Sequence, residues 1–275
     1  MRYRFAVSDF TNEHSLPHLS AAEARLSGAL SQPKRIALGC IAALTAAGWL
    51  GLGLLSQGSP LNWQALCQPG AAGGLGELAV AAAMWMAMTL AMMLPAAGPM
   101  IVTYAEIADT GARKGELVVS PLVLTAGYVA VWFGFAFAAA GLQFALSRAG
   151  VLEGGSVGRL ASGTIFLFAG LYQFSALKQA CLTQCQRPFP FFFANWTTER
   201  SGVFLLGLRQ GMLCLGCCWA MMLLMFAVGA MNVVWMAALG VLMTVEKLTT
   251  TARFSEALGL AFVATGFGMI VWSVF

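Results

Sequence analysis

The stretch "LCLGCCWAMMLLM", residues 213–225, lies in the middle of an apolar run that extends over residues 202–228. About 20 consecutive apolar residues are enough for an α-helix to cross the hydrocarbon core of a bilayer. Three cysteines and three methionines stand among the aliphatic side chains of the quoted stretch. The sequence therefore predicts a membrane helix that carries an unusual amount of sulfur.

The composition of the whole chain is that of a membrane protein. Of its 275 residues, 59% are hydrophobic and only 9% are charged, and the mean hydropathy is +0.79. These values lie outside the range of ordinary soluble domains. The net charge of +4 does not indicate nucleic-acid binding, because the basic residues lie at the ends of apolar runs. We expect the lipid bilayer to be a partner and nucleic acid not to be one.

Seven apolar runs of membrane length, or slightly shorter, follow one another along the chain. They cover residues 36–56, 77–100, 120–146, 157–177, 202–228, 231–246 and 257–275. The pattern predicts an all-α fold, a polytopic bundle of about seven membrane helices in a domain of residues 36–275, preceded by an N-terminal segment of residues 1–35. The sixth run is short, so a tight hairpin with the fifth run and a single re-entrant unit both stay open.

The distribution of basic residues predicts the direction of the first helix. Residues 1–35 contain five Lys or Arg side chains, whereas residues 57–76 contain none. Because Lys and Arg concentrate in cytoplasmic loops, the N-terminus is expected on the cytoplasmic side. Alternation of the later loops agrees with this orientation, since every second loop is basic.

The sulfur atoms of the fifth run fall on one face of a helix. Cys214, Cys218, Met221 and Met225 are spaced by four, three and four residues, and Cys217 lies at the edge of the same stripe. A rise of 1.5 Å per residue places Cys214 roughly 18 Å from the cytoplasmic end of the run. We therefore predict a group of thiols near or beyond the middle of the membrane.

Two further sources of sulfur lie elsewhere in the chain. Met84, Met88 and Met92 repeat every four residues in the second run, before Pro95, which is expected to end or kink that helix. Met231 follows the connection between the fifth and sixth runs. Methionine also fills irregular gaps in apolar packing, so ligand and packing roles both stay open for these side chains.

A second pair of thiols, Cys181 and Cys185, is predicted at the cytoplasmic end of the fourth run. Four residues apart on a helix, they would share one face and could form a two-coordinate thiolate site. At this position a cytosolic metal donor or acceptor could reach them. The sequence thus predicts sulfur at three depths of the membrane.

Small and polar residues give weaker signals. Gly211 and Gly216 in the fifth run would let a neighbouring backbone approach closely. Gln210 lies about two turns inside this run, where its side chain is expected to reach back to the interface. Glu246 and Lys247 are expected to be interfacial, with structural and functional roles both open.

The ligand types indicate a soft metal. Thiolates and thioethers select Cu(I), whereas oxygen ligands suit Mg²⁺ and Ca²⁺. Zinc is less favoured, because its structural sites use four Cys or His ligands. The sulfur-rich segments therefore point first to Cu(I), with another soft metal as the alternative.

Three blocks of the sequence resemble the DUF2182 family, described as predicted metal-binding integral membrane proteins of bacteria. The blocks are "MWMAMTLAMMLP" at 84–95, "YQFSALKQACLTQCQRP" at 172–188 and the segment 207–247, in the order of the family. The resemblance implies a multi-pass helical protein of the bacterial inner membrane with a link to metal, and it supplies no reaction. It carries over Met84, Met88, Met92, Met93, Lys178, Cys181, Cys185, Cys214, Cys217, Cys218, Met231, Asn232, Trp235 and Glu246.

Three functions are consistent with these features. The first is a Cu(I)-binding membrane protein that transports copper or delivers it to a copper enzyme, with a metallochaperone or that enzyme as partner. The second is a thiol–disulfide electron carrier that uses the "CLGC" segment. The third is an accessory subunit of a membrane complex, in which the sulfur-rich helices serve for packing. We expect metal binding and no catalytic residues.

Overall fold

The computed structural model describes residues 33–56, 75–153, 156–229, 232–249 and 251–274. Nearly all of the predicted N-terminal segment, residues 1–35, lies outside these ranges. Met231, one of the predicted ligands, also lies outside them.

Within these ranges the chain is helical apart from one pair of two-residue strands, which confirms the predicted all-helical fold. The two strands, Leu152–Glu153 and Ser156–Val157, pair in antiparallel fashion. In chain order the elements are α1 (Pro33–Ser56), α2 (Leu75–Arg113), α3 (Pro121–Arg148), β1 (Leu152–Glu153), β2 (Ser156–Val157), α4 (Arg159–Tyr172), α5 (Ala176–Gln186), α6 (Pro188–Ala194), α7 (Arg200–Val228), α8 (Val233–Leu248) and α9 (Ala252–Val274).

Five of the described helices, α1, α2, α3, α7 and α9, are long and apolar enough to cross a membrane. A sixth span results if α4 and α5, which meet at a bend of 65°, are counted as one broken span. Helix α8 has 16 residues and a length of about 24 Å, which is less than the roughly 30 Å of a bilayer core. The count of seven spans and the cytoplasmic N-terminus stay predictions.

Helix α2 is longer than the sequence predicted. It contains Pro95 and Pro99 in its interior and continues to Arg113, over 39 residues. Pro95 therefore does not end the helix, and the alternative that it kinks the helix stays a prediction. Each proline removes one backbone donor, and packing of α2 against α1, α3 and α8 keeps the flanking turns helical.

Helix α7 packs against α3, α4, α5 and α8, and its contact with α3 is made by glycines. A Cβ atom on Gly207 would lie 2.1 Å from the carbonyl oxygen of Leu124, and one on Gly127 would lie 2.2 Å from that of Phe204. The predicted close approach at Gly211 is confirmed, because a Cβ there would lie 3.1 Å from the backbone oxygen of Tyr128. These contacts hold α3 directly beside the cysteines of α7.

Candidate metal centre

The three cysteines of α7 form a compact buried group. The Sγ atoms of Cys214, Cys217 and Cys218 all lie within 4.8 Å of one another. Their exposed fractions are 2%, 1% and 1%. Cys217 Sγ lies 3.3 Å from Cys218 Sγ and donates to the backbone oxygen of Cys214 at 3.1 Å. We call these three residues the thiol triplet.

Two polar side chains from other helices contact the sulfur of Cys214. Lys247 of α8 donates its ammonium group to Cys214 Sγ at 2.9 Å. The hydroxyl of Tyr128 in α3 lies 3.0 Å from the same sulfur and also donates to the backbone oxygen of Met93 at 3.1 Å. Three separate helices, α3, α7 and α8, therefore meet at Cys214.

Lys247 is buried inside the bundle, and its depth relative to a membrane interface stays a prediction. Only 8% of the residue is exposed, and no carboxylate in the described ranges lies within 4.0 Å of its nitrogen. The sulfur of Cys214 is the acceptor that the fold offers to this ammonium group. An ionisable residue in an apolar run is a signal for a functional site, and the sequence contained that signal. The role of Tyr128 had no comparable signal.

The structure places Cys181 and Cys185 next to the thiol triplet, and their location on the cytoplasmic side stays a prediction. Because the chain bends between α4 and α5, the second of these helices lies against α7. The sulfur of Cys181 would lie 2.7 Å from a Cβ on Gly216, so the close approach predicted at this glycine is made by a side chain. Cys185 lines the same cavity as Cys214. Both Cys181 and Cys185 are half-buried and lie beside the triplet.

A buried polar network fixes α5 in this position. Lys178 Nζ and Glu246 Oε2 form an ion pair at 2.8 Å, with side-chain exposures of 1% and 3%. Ser255 donates to Glu246 Oε1 at 2.7 Å and lies 3.2 Å from Gln173 Oε1. The side chain of Ser175 caps α5 by accepting from the backbone N–H of Lys178. The network ties the bend to α8 and α9, and the interfacial position expected for Glu246 stays a prediction.

The predicted methionine ligands lie inside the bundle. Met84, Met88 and Met92 of α2 and Met221 and Met225 of α7 are all buried. Met92 lies against α8, since a Cβ on Gly240 would contact its side chain at 3.4 Å. Burial is what both a ligand role and a packing role require, so binding of metal by these thioethers stays a prediction.

A cavity of about 130 Å³ adjoins the triplet at Cys214. Cys185, Lys247 and Gln210 also line it. Gln210 is 2% exposed, and neither its Oε1 nor its Nε2 atom has a hydrogen-bond partner in the described ranges. The expectation that this side chain reaches back to the interface is wrong. A buried amide without partners next to a cavity is a feature that a bound ligand would satisfy.

The geometry of the triplet is suited to one soft metal ion. A zinc–thiolate bond is about 2.3 Å long, so two sulfurs on one ion of similar size are at most about 4.6 Å apart. The observed limit of 4.8 Å is close to this value. The group contains thiols only, and thiolate ligands suit soft or borderline metals such as Cu(I) and Zn²⁺. Binding of the ion by these residues stays a prediction.

Comparison with known proteins places this centre in a family context. No curated protein and no solved structure gives a significant match to the sequence. The family model of PpoB2, described as a copper chaperone, matches residues 82–269. The match covers more than half of the chain and includes the triplet, Cys181, Cys185 and Lys247, while the more specific DUF2182 assignment stays a prediction. The chain therefore belongs to the PpoB2 copper chaperone family.

Proposed function

We propose that this protein is a multi-pass copper chaperone of the bacterial inner membrane, which holds Cu(I) on the thiol triplet and delivers it to a copper enzyme. The observation that carries the proposal is the convergence of three buried Sγ atoms within 4.8 Å. The copper chaperone family supports the choice of metal.

The donor set favours Cu(I) over zinc. Structural zinc sites are closed by four Cys or His ligands, whereas three thiols form the group on α7. Cu(I) is the ion that soft sulfur ligands select. Met221 and Met225 lie one and two turns beyond Cys218 on the same helix and would supply thioether sulfur near the ion. We propose the same role for Met84, Met88 and Met92 of α2.

The outer surface of the bundle supports a membrane location. Large apolar side chains are exposed on α1 and α9, among them Leu50 at 67%, Phe267 at 65% and Trp272 at 76%. Large exposed apolar side chains on such helices need a cover, and lipid is the cover that helices of this length fit. The basic residues before α1 favour a cytoplasmic N-terminus.

Delivery requires that the ion can leave the triplet. Cys181 lies at Gly216 and Cys185 lines the cavity at Cys214, and both are half-buried, so they offer thiols between the buried centre and a partner. Copper would move by replacing one sulfur ligand with another, without contact with lipid. In this scheme a metallochaperone would donate copper to the protein, and a copper enzyme would receive copper from it.

The test is copper binding by the full chain in lipid nanodiscs under reducing conditions. We expect about one Cu(I) per chain with only sulfur in its first coordination shell by X-ray absorption. The Cys214→Ser, Cys217→Ser and Cys218→Ser variants should lose this copper. Cys40→Ser is the matched control, because Cys40 is a free, half-buried thiol of α1 remote from α7 in sequence.

Two results would contradict the proposal. Copper that stays bound in all three triplet variants would place the site elsewhere. Reversible disulfides among the triplet cysteines in cells, trapped by alkylation and formed without copper, would favour a thiol–disulfide electron carrier instead.

A further inference from the structure

The cavity beside Cys214 extends from the buried centre towards the surface of the bundle. Its lining includes Cys214, which is 2% exposed, and also Pro99 and Leu248, which are exposed, Leu248 by 61%. The cavity therefore offers a path between the outside of the described bundle and the thiol triplet.

Sulfur lines this path at more than one point. Cys185 is half-buried, Met100 is 6% exposed and Cys214 is 2% exposed, and all three line the cavity. Their exposures decrease in that order, which is the order that a soft ion would meet on entering. Met100 lies on α2 beyond Pro95, outside the methionine repeat that the sequence analysis considered.

The polar lining gives an independent indication of a ligand. Both polar atoms of the Gln210 amide lack partners among the described residues, although the residue is buried. Lys247 lines the same cavity, with its ammonium group on Cys214 Sγ. An incoming cation must replace that ammonium group, and Gln210 Oε1 is a free acceptor in the same cavity.

We propose that this cavity is the port through which Cu(I) reaches the triplet, an inference that rests on the proposed function. Cys185 is the thiol that receives the ion, and Met100 is its thioether co-ligand. When copper reaches Cys214, the Lys247 ammonium group leaves the sulfur and donates to Gln210 Oε1. Gln210 is a positioning residue in this scheme and does not touch the copper.

Each transfer step conserves atoms and charge. The copper–sulfur bond of an external thiolate breaks as a bond from copper to Cys185 Sγ forms, and the proton of the Cys185 thiol passes to the departing thiolate. The same exchange then moves copper from Cys185 to Cys214: the bond from copper to Cys185 Sγ breaks, the bond to Cys214 Sγ forms, and the proton of the Cys214 thiol passes to Cys185. Copper remains Cu(I) throughout, so the transfer needs no oxidant or reductant.

The size of the port determines what can enter it. A water molecule in the liquid occupies about 30 Å³, so a cavity of about 130 Å³ admits an ion with a few small groups. A folded donor domain or a bulky chelate must release its copper at the mouth. Cys185, the more exposed of the two lining thiols, is then the first acceptor.

The test separates the rate of copper loading from the amount of copper bound. The full chain in nanodiscs is mixed anaerobically with the Cu(I)–bicinchoninate complex, and loss of the absorbance of that complex is followed by stopped flow. Cys185→Ser, Met100→Leu and Gln210→Leu should each slow loading by about tenfold, as expected for loss of one favourable contact along the path. The final copper content should equal that of the wild type.

Matched controls keep the result interpretable. Cys40→Ser and Met222→Leu change a thiol and a buried methionine that do not line the cavity, so both should load at the wild-type rate. Leu248→Trp narrows the mouth at an exposed position, where a large side chain leaves folding intact, and it should also slow loading.

The outcomes distinguish this inference from the proposed function. Wild-type loading rates in Cys185→Ser, Met100→Leu and Leu248→Trp would overturn the port. Loss of bound copper in Cys185→Ser would also overturn it, because Cys185 would then be a permanent ligand. Absence of copper binding by the wild type would instead refute the proposed function.

Discussion

The ion pair between Lys178 and Glu246 provides the sharpest test of the packing that positions the metal centre. Both side chains are almost fully buried, at 1% and 3% exposure, and they join α5 to α8 at 2.8 Å. Glu246→Gln keeps the shape of the side chain and removes its charge, so the Lys178 ammonium group loses its counter-charge. Removal of one partner from a buried pair costs about 3–5 kcal/mol. We expect the free energy of unfolding to fall by that amount.

The double variant Lys178→Met with Glu246→Gln removes both charges and should recover most of the loss, because a buried pair as a whole contributes little net stability. The control is Lys34→Met, which removes the exposed Lys34–Glu106 pair and should cost at most about 1 kcal/mol. Unfolding in mixed micelles with increasing dodecyl sulfate, followed by far-ultraviolet circular dichroism, measures all three. A loss below about 1 kcal/mol for Glu246→Gln, or no recovery in the double variant, would refute the argument.

Three further substitutions test the geometry around α7. Gly207→Ala should lower the free energy of unfolding by roughly 1–3 kcal/mol, because its Cβ would lie 2.1 Å from a backbone oxygen of α3. The control is Gly134→Ala, whose Cβ meets nothing within 4 Å and which should raise the free energy of unfolding by up to about 1 kcal/mol in the same assay. Tyr128→Phe should cost roughly 0.5–1.5 kcal/mol and leave the copper content unchanged by elemental analysis, since a phenol is not a soft ligand. Gly216→Ala should displace the sulfur of Cys181, which would lie 2.7 Å from the added carbon. The rate at which maleimide alkylates Cys181 should therefore change, and an unchanged rate would contradict the contact.

The helices and the thiol triplet could be predicted because their signals are local in sequence. Hydropathy over about 20 residues identifies an apolar helix, and the five long helices follow predicted runs. The spacing of Cys214, Cys217 and Cys218 places them on one face of a single helix. This arrangement does not depend on any tertiary contact. Helical periodicity alone therefore brings these three sulfurs together.

The partners of the triplet could not be predicted, because they depend on how separate helices pack. Lys247 is 33 residues from Cys214, and Tyr128 is 86 residues from it. From the sequence we expected Gln210 and Lys247 at the interface, because an apolar run indicates depth along one helix and does not reveal a polar neighbour on another helix. Only the packed bundle shows that both line one cavity.

The position of Cys181 and Cys185 depends on a bend that the hydropathy of the fourth run conceals. A continuous helix would have carried both thiols away from the centre along its axis, whereas the 65° bend turns α5 towards α7. Backbone groups at such a break need partners in an apolar surrounding, and the side-chain amide of Gln179 donates to the backbone oxygen of Gln173 at 3.1 Å. Ser255 and the Lys178–Glu246 pair hold the bend from the other side. Because buried pairs add little net stability, we infer that this one was retained for geometry: it selects the bent arrangement, which places Cys181 and Cys185 beside the thiol triplet, over a straight helix, which would not.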